Sequence, residues 1–492
     1  MGHISRLIVD DQMKKTMNTA PAAILFQQAY ELHQAGRVSD ALSLYNKALK
    51  SEPTNAQLLF LMGLAQQQMG QHDRALNFFS RALKSDPNNP SIYLHQGMSL
   101  GQKNQMPQAV KAYEEAIALQ PDFFEAYCNL GNALNSTGKP QAALLAYEKA
   151  LAIDAHSPVL HYNLGVIKQE QMRPQEAAQH FQKAVGLRPD YAVACANLSV
   201  ALCEVGHIEE AIKANERALQ LDPGLAEAHF NAHTYWLEDG KYDQAITCLE
   251  KAVKIAPKED RYRFFLGMLL AYSGQTQQAQ PLLAFRSPSR MIASDLEAWA
   301  YIQSLDPKPK LLGHAASVFR MAMGQAREDG LVMEFGVYHG TSIRQIAALA
   351  RSDVHGFDSF EGIPEAWNNE RAGSYSTQGA MPDVPQNVQL HAGWFEVSIP
   401  VFRQSDAAHS TSPVRLMNID CDLYSSTKTV LDQFHSQICP GTVLVFDEFI
   451  GNLSWKQDEF KAFHDAARQY GWHFEVICFS FVTKQVALRI AN

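Results

Sequence analysis

Residues 123–156 read FFEAYCNLGNALNSTGKPQAALLAYEKALAIDAH, and their pattern returns over much of the 492-residue chain. Stepping from Ala143 by 34 residues in either direction meets Ala41, Ala75, Ala109, Ala177, Ala211, Ala245 and Ala279. Ala150 belongs to a second ladder with Ala48, Ala82, Ala116, Ala184, Ala218 and Ala252. A third carries Pro53, Pro87, Pro121, Pro189, Pro223 and Pro257, with Ala155 as its one gap. Glycines at Gly63, Gly97, Gly131, Gly165 and Gly267 keep the same register and read as helix-turn positions. Two helices that cross closely need small side chains at the crossing, and a proline after the second helix stops it. One such pair cannot bury its own apolar face, so pairs stack into a solenoid.

This pattern resembles the tetratricopeptide repeat, an all-α superhelix, over residues 22–287 in about eight units. Arg286 stands where the eighth unit should carry its late small residue, so that unit reads as the capping end. A further ladder runs through Asn129, Asn163, Asn197 and Asn231 inside the first helices. An amide donates and accepts at once, which suits a grip on a peptide bond whatever its side chain. The plainer alternative is that these asparagines tie adjacent repeats together. Segments such as AYCNLGNAL and LHYNLGVIK resemble repeats of the protein O-GlcNAc transferase family. That resemblance implies that the four asparagines line a concave groove holding an extended protein or peptide partner.

The bulk numbers narrow the rest. A formal charge of -9 and a pI near 6.1 argue against a nucleic-acid binder held by phosphate contacts. Seven cysteines show no C-x-x-C pair and no metal-ligand spacing, which speaks against zinc and a disulfide framework. No stretch approaches the roughly 18–20 apolar residues of a membrane helix. The opening MGHISRLIVDDQMKKTMNTA makes a poor secretory signal. Residues 1–21 are expected to form an N-terminal tail, with initiation at Met17 as the alternative, and the expected location is cytoplasmic.

The 34-residue period ends after Arg290, and residues 288–310 read as a linker, its SLDPKPKLLG segment carrying two prolines. From 311 to 492 short apolar runs alternate with helical segments, the signature of a parallel sheet covered by helices. The expected strands are LVMEFG, DVHGFD, VQLHAG, VRLMNID and TVLVFDE. HFEVICF and KQVALRI close the chain as an antiparallel hairpin at one sheet edge. The predicted class is therefore multidomain: a helical repeat superhelix followed by an α/β doubly wound, Rossmann-like domain.

Two loops of that domain point to a nucleoside cofactor. The first, Glu334-Phe-Gly336-Val-Tyr338-His-Gly340-Thr341-Ser342, follows a strand and opens a helix. Its glycines allow a tight turn close to a ligand, but it is not the G-x-G-x-x-G of a dinucleotide site. The second ends a strand at Asp358-Ser359, 18 residues past Gly340, where a carboxylate can accept from both ribose hydroxyls.

Asp420-Cys-Asp422 and Asp447-Glu448 close two further strands, which a doubly wound sheet makes neighbours. Two unit charges 4 Å apart repel by about 4 kcal/mol at an effective dielectric near 20. A cation, a proton or hydrogen-bond donors must offset that. Hard oxygen ligands of this kind suit Mg2+. The plain alternative has Asp422 capping the next helix near Ser425–Thr427 and Glu448 facing solvent.

The motifs EFGVYHGTS, GFDSFEGIP, AGWFE, NIDCDLYSST and VFDEF, in this order, resemble the macrocin-type O-methyltransferase family over roughly residues 310–492. The resemblance implies Mg2+-assisted methyl transfer from S-adenosylmethionine (SAM) to a hydroxyl, such as that of a sugar on a glycan, a glycoconjugate or a natural product. It implies Asp422 as general base and Asp420, Asp447 and Glu448 as metal ligands. It also implies cofactor contacts at Glu334, Gly336, Tyr338, Gly340, Thr341, Ser342, Asp358, Ser359, Trp394 and Asp420. Residues 368–384 are expected to form a loop over the active site, and His339, His355 and His391 are alternative bases. Two other readings stay open: a protein-interaction scaffold with an inactive methyltransferase-like domain, and a protein methyltransferase, which needs no metal.

Overall fold

The computed structural model describes residues 20–491, without the side chains of 20, 407 and 408. The expectation for a tail over 1–21 therefore lies outside the described residues except at its end. The chain divides into two compact units, Met1–Ile167 and Lys168–Asn492.

In the first unit, helices alternate at 13 and 14 residues, as in Ala56–Gln68 with His72–Ser85 and Phe124–Ser136 with Pro140–Ile153. Both alanine ladders are shut from solvent here, with Ala41, Ala75, Ala109, Ala143, Ala48, Ala82, Ala116 and Ala150 all at 0% exposure. Any larger side chain would prise the crossing helices apart. Gly63, Gly97 and Gly131 lie inside helices, not at their turns. A Cβ at each would sit 2.4–2.5 Å from the ring of Phe79, Tyr113 or Tyr147, so the glycines make room for an aromatic of the partner helix. The turns use a different ladder, at positive φ in each repeat: Gly36, Gly70, Asn104 and Gly138. At Ala155, the gap in the proline ladder, the preceding helix still ends at Ile153, so proline reinforces the stop without being required for it.

The second unit continues the helix pairs from Pro174–Leu187 to the eight-residue Thr276–Leu283. Its turn positions are Met172, Gly206, Gly240 and Gly274, again with positive φ. A further helix, Arg290–Gln303, occupies most of the segment expected to be a linker. The last repeat is no polar cap. Phe264 and Trp299 meet Phe481 with ring centroids 5.5 and 6.3 Å apart, and one hydrophobic core runs from Phe230 into the sheet.

That sheet has eight strands: β1 Lys310–Leu311, β2 Leu331–Phe335, β3 Val354–Asp358, β4 Val388–Ala392, β5 Val414–Ile419, β6 Val443–Phe446, β7 Phe474–Phe479 and β8 Val486–Ile490. Their order is β1-β7-β8-β6-β5-β2-β3-β4. The strands from β6 to β4 are parallel, while β8 runs antiparallel to both β6 and β7. The β7–β8 hairpin thus lies one strand in from the edge, because the short β1, missed in the sequence, pairs parallel with β7. The central strands are nearly continuous apolar runs, as burial on both faces demands. Among the described residues no helix is long and apolar enough to cross a membrane.

Candidate active site

The parallel strands bring their carboxyl ends to one rim, where a doubly wound sheet places its ligand crevice. A cavity of about 330 Å³ opens there, lined by Gly336 after β2, Asp358 at the tip of β3, Asp420 and Asp422 after β5, and Asp447 and Glu448 after β6. That volume is within the range of small-molecule sites. Trp394, Trp367 and Tyr375 supply aromatic walls, and Tyr375 belongs to the loop expected over the site.

Backbone geometry sets this rim. Gly336 has φ +92°, and a Cβ there would lie 1.8 Å from the Asp420 carbonyl oxygen, so only glycine lets the loops after β2 and β5 close. Asp358 holds the glycine loop in shape: its Oδ2 accepts from Val337 N and Tyr338 N at 2.8 and 2.7 Å, and its Oδ1 from Phe360 N at 2.6 Å. A carboxylate has about four lone-pair sites, so Asp358 keeps only spare capacity for a ribose hydroxyl.

Of the ten residues expected to touch the cofactor, Gly336, Tyr338, Asp358, Ser359, Trp394 and Asp420 line this cavity. Thr341 and Ser342 line a neighbouring one, and Gly340 caps the helix Thr341–Leu349. Glu334 lies beneath the loop at 0% exposure, accepting from Ser342 Oγ and, at 2.8 Å, from Asn418 Nδ2. Its Oε2 has no partner, and burial pushes its carboxyl up to about 8.

Burial, then the charge of Glu448 and of Asp447, pushes Asp422 up to about 7. Asp447 is pushed to about 7 by burial and then by Glu448, and Asp420 stands well above the usual carboxylate range for the same kinds of reason. Asp422 does not cap the next helix, whose N-cap Leu423 makes no side-chain bond, and its own φ is +60°. It faces the cavity instead.

Mg2+ fits this set poorly. Among the described residues no three His, Cys, Asp or Glu side chains converge to hold a metal ion, Asp420, Asp447 and Glu448 included. Two of the three are already engaged: Gln485 Nε2 donates to Asp447 Oδ1 at 2.6 Å, and Lys484 Nζ pairs with Glu448 Oε2 at 3.5 Å. A cationic organic cofactor fits better. The wall carries five carboxylates of the loops after β3, β5 and β6, and Glu334 beneath them keeps an orphaned buried oxygen.

Glu459 carries no motif, and sequence reasoning missed it. It opens the helix Glu459–Tyr470 at 0% exposure. Its Oε1 accepts from Cys421 N at 3.1 Å and Asp422 N at 3.3 Å, and its Oε2 from Glu448 N at 3.3 Å. One carboxylate therefore grips the loops after β5 and β6 together. The alternative histidine bases stand elsewhere. His355 and His391 meet each other at 3.3 Å and pack on Phe402, and neither they nor His339 line the cavity.

Three asparagines of the ladder differ in their surroundings. Asn129 Nδ2 donates to Glu125 O of its own helix, while Asn163 Nδ2 donates to Asn132 Oδ1 of the preceding repeat. Asn231 Nδ2 is buried without a partner.

Comparison with known proteins agrees with this architecture. A family model described as a methyltransferase domain matches residues 333–449. Tetratricopeptide-repeat models match residues 32–96, 97–138, 124–157, 168–232 and 232–259. The chain thus carries tetratricopeptide repeats and a C-terminal methyltransferase domain. No curated protein matches it. Similar solved structures include MamA, at 24% identity over 34% of this chain and 96% of that one, with a TM-score of 0.32. YrrB, titled a TPR protein with an unusual peptide-binding site, is 24% identical over 40% of this chain and 97% of its own, with a TM-score of 0.34. A tetratricopeptide repeat protein from Parabacteroides merdae is 16% identical over 51% of this chain and all of its own, with a TM-score of 0.42.

Proposed function

We propose that the C-terminal domain transfers a methyl group from SAM to a hydroxyl, with Asp422 taking the hydroxyl proton. The observation that carries this reading is a single cavity in which Gly336, Asp358 and Trp394 share walls with Asp422 and Glu448. Bound there, SAM supplies a methyl on a cationic sulfur that departs as a neutral thioether while the new C–O bond forms.

The chain's own residues do the rest. Trp394 offers a face for the adenine, and Asp358 orders the glycine loop beneath the ribose. Trp367 and Tyr375 cover the cavity and keep water from the reacting atoms. A hydroxyl is a weak nucleophile near neutral pH, so a carboxylate within hydrogen-bond reach must remove its proton as the bond forms. Asp422 is positioned for that by the grip of Glu459 on its backbone N–H. Alignment of hydroxyl and methyl supplies much of the remaining acceleration.

The macrocin-type resemblance favours a sugar hydroxyl, and the repeats favour a protein or peptide partner that brings it. Mg2+, the second cofactor expected from the sequence, is held out of this reading because its three carboxylates do not converge. Calorimetric titration of SAM into the whole chain is the test. One-to-one binding in the micromolar range supports the reading, and no detectable heat from a folded sample refutes it.

A further inference from the structure

A second cavity of about 550 Å³ adjoins the first and shares Met172, Asp420 and Asp447 with it. Asn231, Tyr235 and Phe230 of the repeats form one side, and His314 of the methyltransferase domain faces them. Three buried polar atoms of residues in this lining have no partner: Asn231 Nδ2, His314 Nε2 and Gln345 Oε1. His314 is only 5% exposed. A buried donor or acceptor left unpaired costs about 1–3 kcal/mol, so these atoms call for a ligand.

Met172 supplies a separate observation. It occupies the turn position filled elsewhere by Gly36, Gly70, Asn104, Gly138, Gly206, Gly240 and Gly274, and it adopts their left-handed backbone with φ +55°. For a long side chain that conformation costs on the order of 1–3 kcal/mol. The residue is 55% exposed, so much of its apolar surface is uncovered and does not offset that strain. It forms the sill between the two cavities.

The chemistry of the lining selects the ligand. An amide N–H and an uncharged imidazole nitrogen suit a neutral partner that both accepts and donates, as every peptide unit does. Gln345 Oε1 adds an unpaired acceptor on the side of the methyltransferase domain, which a peptide N–H would satisfy. Glu204, Glu227, Asp420 and Asp447 outnumber the single cation Arg261 in the lining, which disfavours acidic ligands.

We infer that the repeat residues 168–261 form the acceptor-side wall of the active site, and that the second cavity holds an extended, non-acidic polypeptide segment. The reacting side chain, or a group attached to it, then passes Met172 into the first cavity. This inference rests on the methyltransferase reading above.

The test uses the whole chain and a pool of acetylated, amidated octapeptides lacking Asp and Glu, followed by fluorescence anisotropy. A backbone N-methylated pool and a neutral oligosaccharide pool run beside it. The expected result is saturable binding of the first pool, weakened at least tenfold by Asn231→Asp and by backbone N-methylation. Met172→Gly should weaken binding as well, without lowering Tm, and it serves if Asn231→Asp does not fold. No peptide binding, equal binding of the N-methylated pool, an unchanged affinity in either folded variant, or binding of the oligosaccharides alone overturns the inference. SAM calorimetry on the same sample separates the cases. Intact SAM binding with a failed peptide test removes this inference only, whereas absent SAM binding removes the methyltransferase reading.

Discussion

Replacing Glu459 by glutamine keeps the shape of the side chain and removes one acceptor oxygen from beneath the rim. In the native arrangement Oε1 takes the N–H groups of Cys421 and Asp422, and Oε2 takes that of Glu448. A glutamine that keeps its carbonyl on the first pair turns its NH2 toward the Glu448 N–H, donor against donor. The reverse orientation orphans two N–H groups. The better case leaves one buried donor unpaired, about 1–3 kcal/mol, and exchanges charge-assisted bonds for neutral ones, roughly another 1 kcal/mol. Relief of repulsion with neighbouring carboxylates returns part of this, so a net loss of about 2 kcal/mol is expected for Glu459→Gln. Urea unfolding followed by tryptophan fluorescence reads it, since five of the six tryptophans lie after residue 290. Turnover should fall at least tenfold, because the loop bearing Asp422 is no longer tied to the one bearing Glu448. A midpoint within about 0.3 kcal/mol of the native chain, with unchanged turnover, would refute the idea that Glu459 joins the two loops.

Gly336→Ala should abolish measurable SAM binding in calorimetry, because its Cβ would lie 1.8 Å from the Asp420 carbonyl oxygen and the two loops must part; native affinity would contradict the placement of the cofactor. Asp422→Asn should retain SAM affinity within about threefold and lose roughly 10²–10⁴ in turnover, measured by methyl transfer once an acceptor is in hand; full turnover would exclude Asp422 as the base. Burial raises Glu334 to about 8 and Glu204 to about 7, both from 4.5. A raised carboxyl contributes stability that is complete below its unfolded value and is lost as pH climbs through the folded one. The ligand-free chain should therefore melt several degrees lower at pH 9 than at pH 6, and Glu334→Gln should flatten that slope in differential scanning calorimetry.

The repeats were legible because close helix crossings tolerate only small side chains, and eight crossings wrote the same alanines 34 residues apart. The parallel strands were legible for a related reason, as burial on both faces leaves apolar runs such as VLVF. Other features left weaker marks. β1 is two residues long and gains its identity only by pairing with β7. KQVALRI reads as one strand, yet β8 begins at Val486, which leaves Lys484 and Gln485 at the rim as partners of Glu448 and Asp447. Glu459 stands 11 residues past Glu448 in no motif, and its role exists only because a helix starts under two loops. The turn ladder was readable, and with it the oddity of a methionine among glycines at residue 172.

Strain draws these pieces together. Nine described residues other than glycine have positive φ, and four of them, Met172, Tyr338, Tyr375 and Asp422, line the first cavity. Residues in such conformations persist only where surrounding packing over-determines them. Tyr338 is pinned by Asp358, Asp422 by Glu459, and Tyr375 lies in the loop over the cavity, so three of the four belong to the methyltransferase domain. The fourth comes from the repeats. The same core that joins Phe264 and Trp299 to Phe481 continues into the sheet carrying the rim, so the last repeats are packed as part of the domain that follows them. A cut between residues 287 and 311 would pass through that core, and the first cavity would lose Met172 from its lining along with it.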